Sequence, residues 1–200
     1  MFQRLRARLG IPSAFHRRQF AARERFRSDY RILADSLLAH LDFATVIDVG
    51  CANGFLLEPF LAAGRDTVGT EVSPEVLAVV PPELRSRIRI GDFTTSEGIH
   101  DLVCCVEVAE HIRPARSDEL VATLTRLSRR WIWFTAAPPG QTGHGHINCR
   151  PHDDWIARFA ARGFAVDRER TDLVRCDLER LAVAVWLRGN GFVLARRSDA

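Results

Sequence analysis

The chain has 200 residues, enough for one domain with a substantial core, and 46% are hydrophobic against 26% charged. No apolar run approaches the roughly 20 residues that span a bilayer, and the basic N-terminus lacks the apolar stretch of a secretory leader. The net charge of +3 selects no class of partner by itself. All 28 basic residues are arginine, and Arg4, Arg6, Arg8, Arg17, Arg18, Arg23, Arg25, Arg27 and Arg31 crowd the first 31 positions. Arginine contacts phosphate and carboxylate bidentately, so this crowding reads as a solvated helix face or as an anion-contacting one. Five cysteines, an odd number without C-x-x-C spacing, argue against a disulfide framework or a cysteine zinc site and predict a reducing, cytoplasmic setting.

In chain order, residues 14–41 carry Phe15, Ala22, Phe26, Tyr30, Leu33, Leu37 and Leu41 at steps of three, four and seven. That is the stripe of an amphipathic helix, and residues 1–42 are expected to form a helical cap on a domain of residues 43–200. Thr45-Val46-Ile47-Asp48-Val49 reads as a strand buried on both faces, since its β-branched side chains suit that setting. Gly50-Cys51-Ala52-Asn53-Gly54 follows as a tight turn, and residues 55–63 as a helix ended by Gly64. A strand feeding a helix through such a turn aims backbone N–H groups at a ligand.

Residues 66–71 form a second strand ending in Glu71, with Ser73 and Pro74 opening a short helix as cap and first-turn proline. Residues 87–90 make a third strand, leading to Asp92-Phe93, and residues 101–108 a fourth. A helix over 117–128 and a fifth strand over 131–136 come next. Residues 138–150 form a loop rich in Gly and His. A helix then opens at Pro151, with Asp153 and Asp154 complementing its dipole. A strand over 164–168, a helix over 177–187 and a closing strand over 191–195 complete the chain, with the last residues frayed. Strands alternating with helices imply a mostly parallel sheet covered on both faces.

In such a sheet ligands bind beyond the carboxyl ends of the strands, so the strand-end residues are the candidates. Gly50-x-Ala52-x-Gly54 fails the G-x-G-x-x-G of dinucleotide folds. It resembles instead the first motif of class I S-adenosylmethionine (SAM) methyltransferases, with Ala52 in place of the middle glycine. The ordered set of Asp48-x-Gly50, Glu71, Asp92-Phe93 and Glu107 extends the resemblance over residues 43–195. It implies a Rossmann-like, seven-stranded α/β fold, with SAM held by Asp48, Gly50, Ala52, Gly54, Glu71, Asp92, Phe93 and Glu107. Glu71 would accept from the ribose hydroxyls and Asp92 from the adenine amino group, with Phe93 packing on the ring.

The run Glu107-Val108-Ala109-Glu110-His111 places two acids and an imidazole at i, i+3 and i+4. If the chain turns helical after Glu107, these face one way. The run is similar to the E-x-x-E-H of ubiquinone-pathway O-methyltransferases and of small-RNA 2′-O-methyltransferases. In the latter it binds a metal with a further histidine, which carries over to Glu107, Glu110 and His111 with His144 or His146. A mostly oxygen donor set favours Mg²⁺ or Mn²⁺. Without metal, His111, His144 or His146 would serve as general base. The expected activity is SAM-dependent O-methylation of a small-molecule or sugar hydroxyl. The alternatives are a metal-dependent RNA 2′-O-methyltransferase, an NAD-binding Rossmann oxidoreductase and a non-catalytic cofactor-binding module. The sequence specifies neither acceptor nor oligomeric state.

Overall fold

The computed structural model describes residues 20–197. Residues 14–19 of the expected first helix, and residues 198–200 of the expected frayed end, lie outside it. Residues 20–22 are helical, a 3₁₀ turn spans Arg23–Phe26, and helix α1 follows as Arg27–His40. The stripe holds, since Leu33, Ala34 and Leu37 of α1 and the adjoining Leu41 are all buried.

Among the described residues, seven strands form one sheet: β1 (Thr45–Val49), β2 (Asp66–Glu71), β3 (Ile88–Ile90), β4 (His100–Cys105), β5 (Ser128–Thr135), β6 (Phe164–Val166) and β7 (Gly191–Arg196). Their order is β3-β2-β1-β4-β5-β7-β6. All pairs are parallel except those of β7 with β5 and β6. The helices are α2 (Leu57–Ala62), α3 (Ser117–Leu127), α4 (His152–Ala160), α5 (Arg168–Asp177) and α6 (Trp186–Asn190).

Period-two alternation divides the core into two layers. Val46, Leu102, Cys104, Trp131 and Trp133 meet α1, α2, α5 and α6 on one face. Ile47, Val49, Val103, Cys105, Ile132 and Phe134 meet α3 and α4 on the other. The continuous apolar runs of β1 and β4 thus arise because both faces are covered. The five cysteines are all free.

Several boundaries differ from the sequence reading. The fourth strand ends at Cys105, three residues early, because Glu107 takes a left-handed backbone (φ 54°) and its N–H is satisfied by Thr135 Oγ1 at 2.8 Å instead of a neighbouring strand. Ser73 makes no side-chain cap, and Pro74 opens only a 3₁₀ turn, Pro74–Ala78. The sixth strand stops at Val166, and the helix expected over 177–187 lies earlier, as α5. Asp167 accepts from the backbone N–H of Arg170 and starts α5 there. Residues 182–184 are instead kept out of a helix by buried Asp29, whose carboxylate accepts from the N–H groups of Ala182, Val183 and Ala184 at 3.1, 2.7 and 2.6 Å. Arg196 belongs to β7, and its guanidinium donates to the carbonyls of Thr125 and Arg129.

β1 is the switch point, with β2 on one side and β4 on the other. The crevice above the carboxyl ends of β1 and β4 is where an open α/β sheet binds ligands.

Candidate active site

A cavity of about 300 Å³ opens over these strand ends, lined by Gly50, Ala52, Glu71, Asp92, Phe93, Glu107 and His111 among others. Beside it lies a chamber of about 20 Å³ bounded by Arg23, Tyr30, Asp48, Gly50 and Asn53. The turn after β1 is pinned to β2 by two hydrogen bonds, from Gly50 and Cys51 N–H to Thr70 O at 2.8 and 3.1 Å. Gly50 sits at φ 84°, and a methyl group there would overlap Val108. Ala52 is also left-handed, at φ 42°, where an L-residue is strained by roughly 1–2 kcal/mol. Its N–H is held by Glu71 Oε2 at 3.1 Å, while Glu71 Oε1 accepts from Ser73 N–H at 2.9 Å. Glu71 thus braces the turn as well as lining the cavity. Burial pushes its carboxyl up, against these N–H bonds.

Asp48 is 4% exposed, and its carboxyl is pushed up to about 7, first by burial and then by the charge of Glu71. Gly54 ends the turn at φ 73°. Asp92 and Phe93 stand on the cavity wall, but Asp92 has a protein partner the sequence reading did not include. Arg116 donates to both of its oxygens at 2.8 Å and lies 4.3 Å from the Phe93 ring centroid. Asp92 Oδ1 accepts from Thr94 as well. The guanidinium holds the Asp92 carboxyl down at about 2. The 24-residue separation left no local pattern by which Arg116 could have been found.

At the other end, the structure replaces the expected helical turn with a left-handed Glu107 followed by a 3₁₀ turn, Ala109–His111. Glu107 therefore does not join the cluster that the i, i+3, i+4 spacing suggested. Its Oε1 instead accepts from Thr135 Oγ1 at 2.8 Å and Asn190 Nδ2 at 3.3 Å, and Asn190 also donates to Gln141 Oε1. The group that does converge is Glu110, His111 and His146, with one potential ligand atom from each within 4.8 Å of the others. The loop after β5 delivers His146 because Ile147 and Asn148 N–H both bond to Glu110 O, at 2.8 and 3.0 Å. Of the two candidate histidines it is therefore His146 that faces inward. His144 is exposed and outside the cluster, though its charge is felt at His111.

The imidazoles are oriented by carbonyls. His111 Nδ1 lies 3.1 Å from Gly145 O and His146 Nδ1 3.2 Å from Gln141 O. A carbonyl only accepts, so each Nδ1 carries a proton, and in the neutral ring Nε2 keeps its lone pair. Desolvation lowers the His111 pKa, against the pull of Gly145. Glu110 is fully buried, and neither carboxylate oxygen has a hydrogen-bond partner among the described residues. Burial, and then the neighbouring Glu107 charge, push it up to about 8. His146 Nε2 stands 4.0 Å from Glu110 Oε1. An orphaned carboxylate facing two imidazole lone pairs fits a cation or a proton. Two nitrogens and one carboxylate, fewer oxygens than the sequence reading expected, are a donor set that suits Mn²⁺, Fe²⁺ or Zn²⁺ better than Mg²⁺.

Residues 47–130 match the family model described as a methyltransferase domain. Among curated proteins, the ubiquinone biosynthesis O-methyltransferase of Nitrosomonas europaea is 31% identical over 111 residues, covering 50% of this chain and 47% of that protein. Its counterpart in Paraburkholderia xenovorans is 31% identical over 108 residues, covering 48% and 46%. The chain thus spans about half the length of the curated relatives it matches. Among solved structures, magnesium protoporphyrin IX methyltransferase from Synechocystis with bound SAH superposes with a TM-score of 0.64 at 18% identity, over 86% of this chain and 83% of that one. The SAM-bound amino pentose methyltransferase of calicheamicin biosynthesis from Micromonospora echinaspora gives 0.64 at 20% identity, over 89% and 95%. The chain thus has the fold of these class I SAM-dependent methyltransferase structures, and its residues 47–130 are similar to methyltransferase domains.

Proposed function

We propose that the protein transfers the methyl group of SAM to a hydroxyl of a small molecule, a metabolite or a sugar, in a reducing cytoplasmic setting. The observation that carries this reading is that one cavity is bounded by the turn after β1, by Glu71 and by His111. The curated relatives named above are O-methyltransferases, and one superposed structure acts on an amino pentose. Residues 1–42 form the cap and residues 43–200 the SAM-binding domain in this proposal.

In the chemistry, the acceptor oxygen attacks the sulfonium methyl in line. The new C–O bond forms as the methyl–sulfur bond breaks, and the electron pair leaves with sulfur as neutral S-adenosylhomocysteine (SAH). Holding the two reactants in line supplies on the order of 7–11 kcal/mol. His111 Nε2 takes the hydroxyl proton, worth roughly 10²–10⁴-fold. Glu110, His111 and His146 would hold a divalent cation such as Mn²⁺, which would lower the hydroxyl pKa and orient the acceptor. The orphaned oxygens of Glu110 support that second version, and with it the reading as a metal-dependent RNA 2′-O-methyltransferase. His144 and Glu107 then act at the rim and through Glu110.

The test is labelled methyl transfer from SAM to sugar, quinol, polyketide and RNA pools, with and without EDTA. Transfer that survives EDTA and falls roughly 10²-fold in His111→Ala supports the general base. Transfer abolished by EDTA and restored by Mn²⁺ supports the metal version. Binding of NAD but not SAM would overturn both.

A further inference from the structure

The large cavity carries a carboxylate on its wall just past the end of β3. Asp92 lines it beside the apolar side chains of Val72, Phe93, Val108 and Ile112. A free carboxylate in a cavity of nucleoside size would be the natural acceptor for the exocyclic amino group of a base. In this chain that carboxylate is already engaged. Arg116, the last residue of the 3₁₀ turn before α3, donates from both terminal nitrogens, Nη1 to Oδ2 and Nη2 to Oδ1, each at 2.8 Å. Thr94 donates twice to Oδ1, from its backbone N–H at 3.1 Å and from its hydroxyl at 2.8 Å. Four donors therefore meet a group with about four lone-pair sites.

Both sides of this arrangement are fixed. The Thr94 N–H bond caps the 3₁₀ turn Phe93–Thr95, so the carboxylate cannot swing towards a ligand without uncapping that turn. Arg116 is held in its turn by Glu119, to which its Nε donates, and its guanidinium carbon lies 4.3 Å from the Phe93 ring centroid. A bidentate guanidinium–carboxylate pair is among the stronger polar contacts. A neutral amino group entering the cavity would have to displace one of its donors. What remains for a base is the apolar wall of Val72, Phe93, Val108 and Ile112. We infer that Arg116 sets the base specificity of this site by withholding Asp92 from the ligand, so that the cofactor's purine is held by packing and its 6-amino group goes unread. The inference rests on the SAM-binding reading above.

The experiment is calorimetry of the full chain with SAH and with its 6-deamino analogue, which has hydrogen in place of the adenine amino group. The wild type is expected to bind the two within about threefold of each other, whereas an amino group donating to a carboxylate would separate them by roughly 10–100-fold. Arg116→Gln releases Asp92, and the preference for SAH then rises to roughly tenfold or more. Arg116→Lys, which keeps a cation beside Asp92, stays near the wild-type ratio. A wild type that already prefers SAH by roughly tenfold overturns the inference. So does an Arg116→Gln protein that keeps the wild-type ratio, whether both affinities fall or neither does. A wild type that binds neither ligand overturns the SAM reading itself.

Discussion

Replacing Gly50 by alanine tests whether the turn after β1 is built against the segment after β4. Two separable costs follow from the geometry. Gly50 lies at φ 84°, where a non-glycine residue costs about 1–2 kcal/mol. The added methyl would also overlap Val108 Cγ2 and lie 3.3 Å from Cγ1. Val108 is β-branched and has little rotamer freedom to yield, and overpacking of this kind costs about 1–3 kcal/mol. The sum is about 2–5 kcal/mol, read as a lower urea midpoint with an unchanged slope. Because Gly50 and Val108 both line the large cavity, SAH affinity should fall as well. Val108→Ala relieves only the overlap. A double-mutant cycle should therefore show about 1–3 kcal/mol of coupling, with the backbone cost left over. Additive effects, or a Gly50→Ala protein as stable as wild type, would refute this account of the turn.

Two positions on, the opposite change should help. Ala52→Gly relieves about 1–2 kcal/mol of left-handed strain against about 0.4–1 kcal/mol of added unfolded-chain entropy, and a loss of more than about 1 kcal/mol in urea denaturation would contradict the strain. Glu71→Ala should weaken SAH binding by about 1–3 kcal/mol, since it removes both the carboxylate proposed to accept from the ribose and the brace on Ala52 N–H; unchanged calorimetric affinity would remove Glu71 from the cofactor site. Burial pushes the Glu110 carboxyl up to about 8 in the folded protein, against an ordinary value of 4.5. Wild-type stability should therefore fall relative to Glu110→Gln as pH rises from about 4.5 to 8, and a difference that stays flat across that window in EDTA would show that Glu110 is not held neutral. The Asp177 carboxyl is held down by Ser36 and His40 across α1 and α5, the reverse case. Its contribution is present above the ordinary carboxyl range and is lost on acidification, so Asp177→Asn should flatten the acid limb of the stability profile.

Much of this protein was legible in its sequence because the determinants are local. The apolar runs of β1 and β4 specify strands covered on both faces, and the glycine-punctuated turn marks where the chain leaves β1 for α2. Acids at the ends of β2 and β3 fall on the cavity because strand ends share one rim whenever the sheet is parallel. The Glu110–His111 pair is adjacent in sequence, so its place near that rim followed once the end of β4 was located to within a few residues.

What only the tertiary structure decided is long-range or rests on a single dihedral angle. Glu107 was placed on a helical face because its spacing permits one, but the hydrogen bond from its N–H to Thr135, 28 residues away, holds it left-handed and turns it towards Asn190. His146 rather than His144 turns inward because Glu110 O captures the two N–H groups that follow His146. The helix expected over 177–187 lost to Asp29, whose buried carboxylate takes three successive N–H groups from a segment more than 150 positions away. Asp92 met Arg116 instead of standing free. In each case the deciding partner is distant in the chain, and periodicity carries information only about neighbours within a turn or a pleat.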